Sequence, residues 1–278
     1  MIGIPYMATH TITDAEFQLI QQLIYSTAGV YIKSHKKTMV ANRLRKRLET
    51  FGFHNYKKYY DFITKVPEGR QELIEFVNCL TTNETFFFRH GEQLELLVDK
   101  IIPQQLAELD RYDKLRIWSA ACSSGEEPYS VAMLIRHRLK PDVQKRIEIL
   151  ASDINIEVLE KAKNGIYKPY ALQKVSALFK KQYFEKKSEE QFILSDQIKE
   201  MVHFFRHNLL DANVHGKFDI ILCRNVMIYF DMESKNKVLS QLNKSLKTGG
   251  YMITGYAESL FRTETTLKYM QPTLYYKV

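Results

Sequence analysis

The residues between Ala120 and Gly125 combine small side chains with the start of a predicted helix. Their sequence is Ala-Ala-Cys-Ser-Ser-Gly, and the helix is predicted to begin near Glu126. Small residues let a ligand lie against bare backbone, and a helix N-terminus supplies unpaired N–H groups with positive dipole charge. The combination is typical of nucleotide binding, without the G-x-G-x-x-G spacing of dinucleotide sites.

Polar residues also follow the other predicted strands. Asp153 ends the second strand, Asn208 and Leu209 follow a later one, and Arg224 and Asn225 follow a buried apolar strand. In doubly wound sheets, a carboxylate at the tip of the second strand accepts hydrogen bonds from ribose hydroxyls. Asp153 is therefore a predicted ligand of a ribose. The alternative is an exposed carboxylate that caps the following helix.

The histidines and cysteines do not form a predicted metal site. His203 and His207 are four positions apart, but their segment is predicted as a strand, in which four residues span about 13 Å. Cys79, Cys122 and Cys223 are far apart and contain no C-x-x-C pair, which favours a reducing compartment. We expect no metal, and a cytoplasmic protein.

The order of patterns along the chain predicts two domains. Residues 1–80 contain only helical patterns, beginning with a capping box at Thr13–Glu16. A connecting helix is predicted over 81–103. Over 104–278, strands alternate with helices, which predicts a doubly wound, mostly parallel α/β sheet. A small antiparallel β insertion is predicted at about 180–203.

Positive charge is concentrated in the predicted helical domain. Between Tyr31 and Tyr60 there are nine Lys or Arg residues and one Glu, while the whole chain carries +8. A local basic patch accelerates encounter with an acidic surface. The candidate docking residues are Arg43, Arg45, Lys46 and Arg47. A solvated helix face is the alternative explanation.

Four motifs together resemble the chemotaxis receptor methyltransferases, the CheR family. The motifs are TNETFFFR at 82–89, WSAACSSGEEPYS at 118–130, ASD at 151–153 and CRNVMIYF at 223–230. The resemblance extends from about Thr13 to the end of the chain. It implies a Rossmann-like domain that binds S-adenosylmethionine, releases S-adenosylhomocysteine and methylates glutamate side chains of chemoreceptors during adaptation.

The resemblance also implies roles for single residues. Arg89 is expected to clasp the methionine carboxylate of the cofactor, and Tyr229 to orient the substrate carboxylate beside the transferred methyl group. Both are predicted as catalytic. The other expected cofactor contacts are Asn83, Thr85, Glu127, Asp153, Asn208, Leu209, Arg224 and Asn225. Glu127 has an alternative, a capping box with Ser124, and Tyr229 could instead be a plain packing residue.

The implied chemistry requires little acid–base catalysis. A glutamate with a pKa near ~4.3 is already ionised at pH 7, so the main task is to align oxygen, methyl carbon and sulfur. The expected partners are acidic helical bundles of chemoreceptors, contacted by a monomer without nucleic acid or membrane insertion.

The predicted β insertion bears on how a receptor is held. Some family members use this subdomain to grip a peptide at the receptor tail. The charged loop predicted at 185–190 is shorter than in those members and lacks their glycines. We therefore expect methylation without that tether.

Two other functional classes remain open at the level of the sequence. The basic helical section also fits an RNA methyltransferase, although the segment after Arg224 lacks the Asn/Asp-Pro-Pro-Tyr loop that holds an exocyclic amine. The third class is a regulator that binds S-adenosylmethionine and transfers nothing.

Overall fold

A computed structural model of the chain describes residues 11–212, 216–261 and 263–278. The chain divides into two compact units, Met1–Thr81 and Thr82–Val278. The first unit is helical, and the second contains a large, mostly parallel sheet together with a small antiparallel one. The fold class predicted from the sequence is therefore confirmed.

The described part of the first unit consists of helices joined by short turns. Its α-helices are α1 Asp14–Ala28, α2 Lys37–Thr50, α3 Tyr56–Lys65 and α4 Arg70–Leu80. The predicted capping box of α1 is confirmed: Thr13 Oγ1 accepts the N–H of Glu16 at 3.2 Å, and Glu16 Oε2 accepts the N–H of Thr13 at 2.9 Å. Helix α2 buries Val40, Leu44 and Leu48 at four-residue spacing, which places one apolar face in the core of the unit.

The second unit alternates strands and helices from β1 onward. Its strands are β1 Leu115–Ala120, β2 Ile147–Asp153, β3 Ile166–Tyr167, β4 Phe184–Ser188, β5 Gln191–Leu194, β6 Val202–Arg206, β7 Phe218–Cys223, β8 Leu246–Thr254, β9 Lys268–Gln271 and β10 Leu274–Tyr276. Its α-helices are α5 Gly91–Leu96, α6 Ile102–Glu108, α7 Glu126–Arg138, α8 Pro141–Gln144, α9 Ile156–Asn164, α10 Ala177–Tyr183, α11 Asp196–Lys199 and α12 Met232–Ser245. A π-helical turn, Leu97–Ile101, joins α5 to α6.

The large sheet has the strand order β6-β2-β1-β7-β8-β10-β9. The pairs β6–β2, β2–β1, β1–β7 and β7–β8 are parallel, while β10 is antiparallel to both β8 and β9. The chain runs outward from β1 in one direction through β2 and β6, and from β7 in the other through β8. In such open sheets, ligands bind beyond the carboxyl ends of the strands where the order reverses. That place is the β1–β7 boundary.

The small sheet has the order β3-β5-β4 and differs from the insertion predicted at about 180–203. It begins earlier, because Ile166–Tyr167 pairs with β5, and a two-residue strand is too short to show periodicity. It also ends earlier, because Val202–Arg206 pairs with β2 in the large sheet. The charged loop predicted at 185–190 is mostly strand β4, followed by a tight turn at 189–190.

A bilayer crossing needs about 20 consecutive apolar residues. In the described ranges, no helix meets this requirement of length and hydropathy.

Candidate active site

The turn after β1 adopts backbone angles that side chains rarely accept. Ala121 and Ser123 have φ angles of 61° and 51°, and Gly125 has a φ of 89°. A Cβ atom on Gly125 would lie 2.9 Å from the Cβ of Ala162, so glycine is required there. Such strained residues cost about 1–3 kcal/mol each and cluster at ligand sites. With the N-terminus of α7 directly behind it, this turn forms the first wall of the candidate site.

Asp153 lies at the carboxyl end of β2 and fixes that turn. Its Oδ2 accepts the N–H of Ser123 at 2.8 Å, and its Oδ1 accepts the N–H of Asn155 at 2.9 Å. Burial raises the pKa of Asp153, and hydrogen bonds from the backbone of Asn155, Ser123 and Ile154 oppose that rise. The alternative of an exposed helix cap is wrong, because Asp153 is buried and Asn155 caps α9. A carboxylate can accept about four hydrogen bonds, so Asp153 retains acceptor capacity for a ligand.

Glu127 and Arg224 form an ion pair across the β1–β7 boundary. Arg224 Nη1 lies 3.1 Å from Glu127 Oε2, and the Arg224 side chain is only 1% exposed. Glu127 Oε1 also accepts the hydroxyl of Ser119 at 2.8 Å. Burial raises the pKa of Glu127, whereas Arg224 and Ser119 lower it. Sequence patterns predicted both residues as cofactor contacts, and the structure adds that they hold each other.

The capping-box alternative for Glu127 is wrong. The N-cap of α7 is Gly125, which makes no side-chain cap. The hydroxyl of Ser124 instead donates to Glu126, at 2.8 Å to Oε2. Burial raises the pKa of Glu126 to about 7, so this carboxyl group titrates near neutrality.

A carboxylate that the motifs did not indicate lies at the ends of β7 and β8. Glu258 is buried, and its oxygens accept the backbone N–H groups of Asn225, Met227 and Gly255 at 2.6, 2.7 and 2.7 Å. Asn225 has a φ of 61°. The sequence signal was Gly-x-x-Glu directly after a strand, a pattern too short to be specific by itself.

The segment 82–90 lies against the β1 turn through two hydroxyl groups. Ser123 Oγ donates to the carbonyl oxygen of Asn83 at 3.0 Å, and Ser130 Oγ accepts the N–H of Phe88 at 2.9 Å. Phe87 is fully buried, with its ring 4.8 Å from that of Tyr167. These contacts bring the predicted residues of the TNETFFFR motif to the carboxyl ends of the strands.

Arg89 is anchored by one part of its guanidinium group. Its Nη1 donates to the carbonyl oxygen of Glu84 at 3.0 Å, and its Cζ lies 5.9 Å from the ring centre of Phe86. Its own carbonyl oxygen accepts a hydrogen bond from Arg224 Nη2. The remaining N–H groups of Arg89 make no hydrogen bond to the described residues, which leaves them available to a carboxylate.

The other predicted contacts occupy the same edge of the sheet. Tyr229 ends the 3-10 turn Met227–Tyr229 after β7 and is half-buried. Asn208 follows β6, and its Oδ1 accepts the N–H of Leu210 at 3.2 Å, while Leu209 is buried. Thr85 is half-buried.

The predicted docking residues of α2 separate into two kinds. Arg43 Nη1 donates to the carbonyl oxygens of Leu80 and Thr81, each at 3.0 Å, at the end of α4. Arg47 forms a two-pronged ion pair with Glu72, whose side chain is 3% exposed, and Nε of Arg47 lies 2.8 Å from Oε1. The side chains of Arg43 and Arg47 are therefore committed inside the helical unit.

Arg45 and Lys46 are exposed on α2. Arg45 Nη2 donates to Asn42 Oδ1 at 2.9 Å on the same helix, and Lys46 forms no ion pair with the described residues. Of the four predicted docking residues, these two remain available to a partner.

Comparison of the sequence with known protein families agrees with the fold of both units. The family description "CheR methyltransferase, SAM binding domain" matches residues 83–276, and "CheR methyltransferase, all-alpha domain" matches residues 15–81. The chain belongs to the CheR methyltransferase family. Its resemblance to that family, inferred from four motifs, is confirmed, and its cofactor is S-adenosylmethionine.

Named relatives of this CheR chain match over most of their length. The chemotaxis protein methyltransferase of Borreliella burgdorferi is 35% identical over 271 residues, which cover 96% of this chain and 95% of that protein. The protein of the same name from Escherichia coli K12 is 36% identical over 269 residues, 95% and 91% of the two chains. That from Vibrio parahaemolyticus is 37% identical over 260 residues, 91% and 92% of the two chains.

The residues of this CheR site fit S-adenosylmethionine. Arg224 Nε is a buried donor without a hydrogen-bond partner among the described residues, and buried donors in proteins almost always find one. Arg89 has unused donors for a carboxylate, and Asp153 has unused acceptor capacity for ribose hydroxyls. The donor set therefore suits a ligand with a carboxylate at one end and a ribose at the other.

Proposed function

We propose that this chain transfers a methyl group from S-adenosylmethionine to glutamate side-chain carboxylates of chemoreceptors. The observation that carries the proposal is the state of the charged groups at the carboxyl ends of the strands. Glu127 is paired with Arg224, and Asp153 and Glu258 accept backbone N–H groups. No carboxylate among them is left as a free general base.

This arrangement matches the needs of a carboxylate nucleophile. A glutamate side chain with a pKa near ~4.3 is ionised at pH 7 and needs no proton removed before it attacks. A hydroxyl, amine or amide nucleophile would gain from a base within hydrogen-bond reach. The occupied state of Glu127, Asp153 and Glu258 therefore favours an acidic side chain as substrate, which only has to be aligned with the methyl group.

Each part of the site has a separate task in this proposal. The cofactor supplies a methyl group on a sulfonium sulfur, which needs little electrophilic help. Asp153 accepts ribose hydroxyls and also holds the β1 turn, while Arg89 and Arg224 receive the carboxylate of the methionine part. Asn208 and Leu209 border the adenine. Tyr229 donates its hydroxyl to the substrate carboxylate and keeps one of its oxygens directed at the methyl group.

The substrate partner in this proposal is an acidic receptor helix bundle. Arg45 and Lys46 of α2 supply positive charge that is not neutralised by an acidic partner in the described part of the chain. Opposite charge on the two surfaces raises the rate of encounter and makes it sensitive to salt. We propose that the enzyme docks as a monomer and without nucleic acid.

The test is incubation with radiolabelled donor and either chemoreceptor membranes or RNA. We expect label on receptor protein that is released by mild base, as from a methyl ester. Alkali-stable label on RNA would support the alternative of an RNA methyltransferase. Cofactor binding in calorimetry with no label on either acceptor would support a non-catalytic regulator.

We also propose that methylation proceeds without a receptor-tail tether. The β4–β5 hairpin turns through two residues, 189–190, beside an ion pair between Lys186 and Glu189 at 2.6 Å. A hairpin this short offers little loop surface around a bound peptide. Receptors truncated before the tail should be methylated as fast as full-length receptors, and saturable binding of an isolated tail peptide would contradict this proposal.

A further inference from the structure

Glu258 is a buried carboxylate whose contacts are all backbone N–H groups. It is 4% exposed, Oε2 accepts from Asn225 and Gly255, and Oε1 accepts from Met227. In the described residues it has no ion-pair partner. Hydrogen bonds in which the acceptor is a carboxylate are stronger than those between neutral groups. With three of them on one side chain, Glu258 links the loop that follows β7 to the loop that follows β8.

The backbone around Glu258 is shaped to receive it. A Cβ on Gly255 would lie 2.6 Å from Glu258 Oε2 and 3.0 Å from the backbone N of Asn225, so no larger residue fits there. Asn225 is held at a φ of 61°, in the left-handed region. Such a conformation persists only where surrounding contacts over-determine it, and the 2.6 Å bond from its N–H to Glu258 is such a contact.

The loop that Glu258 holds carries groups assigned to the reaction. Arg224 precedes Asn225 and reaches Glu127 and the carbonyl oxygen of Arg89. Met227 begins the 3-10 turn that ends at Tyr229. One oxygen of Glu258 therefore holds the residue next to Arg224, and the other holds the turn of Tyr229.

We infer that Glu258 is a positioning residue for methyl transfer, which orients Tyr229 through Met227 and the cofactor contacts of Arg224 and Asn225 through the backbone N–H of Asn225. This inference rests on the proposed function for the role of Tyr229. The part of the inference that concerns the cofactor contacts is independent of the proposed function, because binding of S-adenosylhomocysteine can be measured without any receptor.

The substitution Glu258→Gln separates the contact of Glu258 with Met227 from its contacts with Asn225 and Gly255. An amide has the same shape but only one acceptor oxygen, and its NH2 group must face a backbone N–H as donor against donor. If the oxygen stays with Asn225 and Gly255, the two-bond side, the N–H of Met227 loses its acceptor. The turn of Tyr229 then shifts while the cofactor contacts remain. Glu258→Ala removes all three hydrogen bonds and releases both the loop after β7 and the loop after β8.

The matched control is Asp219→Asn. Asp219 lies at the start of β7, the strand whose carboxyl end leads into the loop that Glu258 holds. Asp219 is 3% exposed, and its Oδ2 accepts the backbone N–H of Arg116 at 2.8 Å. It thus shares burial and a backbone acceptor role with Glu258. It differs in that its Oδ1 lies 2.8 Å from Lys247 Nζ and in that it lies away from the carboxyl ends of the strands.

The experiment measures kcat, KM for receptor, affinity for S-adenosylhomocysteine by calorimetry, and thermal midpoint, at a temperature well below every midpoint. We expect Glu258→Gln to lower kcat roughly 10-fold, which corresponds to 1.36 kcal/mol, because the turn of Tyr229 shifts. The affinity for S-adenosylhomocysteine should change by less than about 3-fold. Glu258→Ala should also weaken the affinity by roughly 10-fold. Asp219→Asn should lower the midpoint and leave kcat within about 2-fold.

The results that overturn the inference are distinct from those that overturn the proposed function. Wild-type kcat and affinity in both Glu258 variants, or an equal loss of kcat in Asp219→Asn, would reduce Glu258 to a structural role. If the wild type methylates no receptor, the proposed function fails, and the affinity of Glu258→Ala still decides whether Glu258 positions the cofactor contacts.

Discussion

Two walls of the candidate site use the same device on opposite sides of the β1–β7 boundary. On the β1–β2 side, Asp153 accepts the N–H of Ser123, which has a φ of 51°. On the β7–β8 side, Glu258 accepts the N–H of Asn225, which has a φ of 61°. In each case a buried carboxylate from the neighbouring strand or loop stabilises one strained residue after a central strand.

The two walls differ in what the held backbone carries. The loop fixed by Asp153 contains small residues and leads into the N-terminus of α7, which suits an uncharged or anionic ligand group lying against N–H donors. The loop fixed by Glu258 carries Arg224, a proposed cofactor contact, and Tyr229, which is proposed to orient the substrate carboxylate. The first wall should therefore act mainly on cofactor affinity, whereas the second should act on affinity through Arg224 and on turnover through Tyr229.

The largest expected effect comes from the first wall. Asp153→Ala removes the proposed acceptor of the ribose hydroxyls and the acceptor of the Ser123 N–H. Hydrogen bonds to charged groups contribute about 1.5–3 kcal/mol each, so the affinity for S-adenosylhomocysteine should fall by about 3 kcal/mol, roughly 150-fold. Calorimetry checks this, with Asp219→Ala as control. An affinity within about 3-fold of wild type would show that Asp153 is not a cofactor contact.

The same wall should also give the protein a pH-dependent stability. Burial raises the pKa of Glu126 to about 7 from 4.5, so the folded state retains a proton that the unfolded state has lost between these values. The contribution of Glu126 to stability therefore falls as pH rises from about 4.5 to 7 and is constant above, by up to about 3 kcal/mol at 1.36 kcal/mol per pKa unit.

Glu126→Gln removes this titration. The difference in unfolding free energy between variant and wild type should shift in favour of the variant between pH 5 and pH 8. Chemical denaturation at several pH values measures it, with Glu157→Gln on the exposed side of α9 as control. A pH-independent difference would mean that Glu126 does not titrate in this range.

The sequence predicted where these walls lie better than it predicted the hydrogen bonds and ion pairs that hold them. The strand ends and the small-residue turn follow from local patterns, and so do Asp153 and Arg224. The role of Glu258 could not be predicted, because Asn225 is 33 positions away and the local pattern Gly-x-x-Glu is too short to indicate that contact. The same limit applies to Arg47, whose partner Glu72 lies on another helix. Periodicity also failed for β3, which is only two residues long.

The Tyr229 side chain of the second wall should affect turnover with little change in cofactor binding. Tyr229→Phe removes one hydroxyl that is proposed to orient the substrate carboxylate, an interaction of about 1–1.5 kcal/mol. We expect kcat to fall roughly 10-fold, with the affinity for S-adenosylhomocysteine unchanged. Single-turnover kinetics measure this, and Tyr269→Phe on exposed β9 is the matched control. Wild-type turnover would mean that Tyr229 only packs.

The smallest expected effect lies outside both walls, on α2. Arg45 and Lys46 are exposed, whereas Arg43 and Arg47 are committed to α4 and Glu72. Reversing Arg45 and Lys46 to Glu should therefore raise KM for receptor roughly 3- to 5-fold at low salt, while kcat and cofactor affinity stay unchanged, because exposed charges act mainly on encounter.

The control for α2 is the reversal of Arg111 and Lys114, which are also exposed and change the net charge equally. The increase in KM should disappear above about 0.5 M salt, where the screening length falls below 5 Å. Reversal of Arg47 should behave differently, since Glu72 would be left buried without a cation, and the loss should appear in the thermal midpoint. An equal rise in KM for the control pair would mean that net charge, and not a docking surface on α2, sets the encounter.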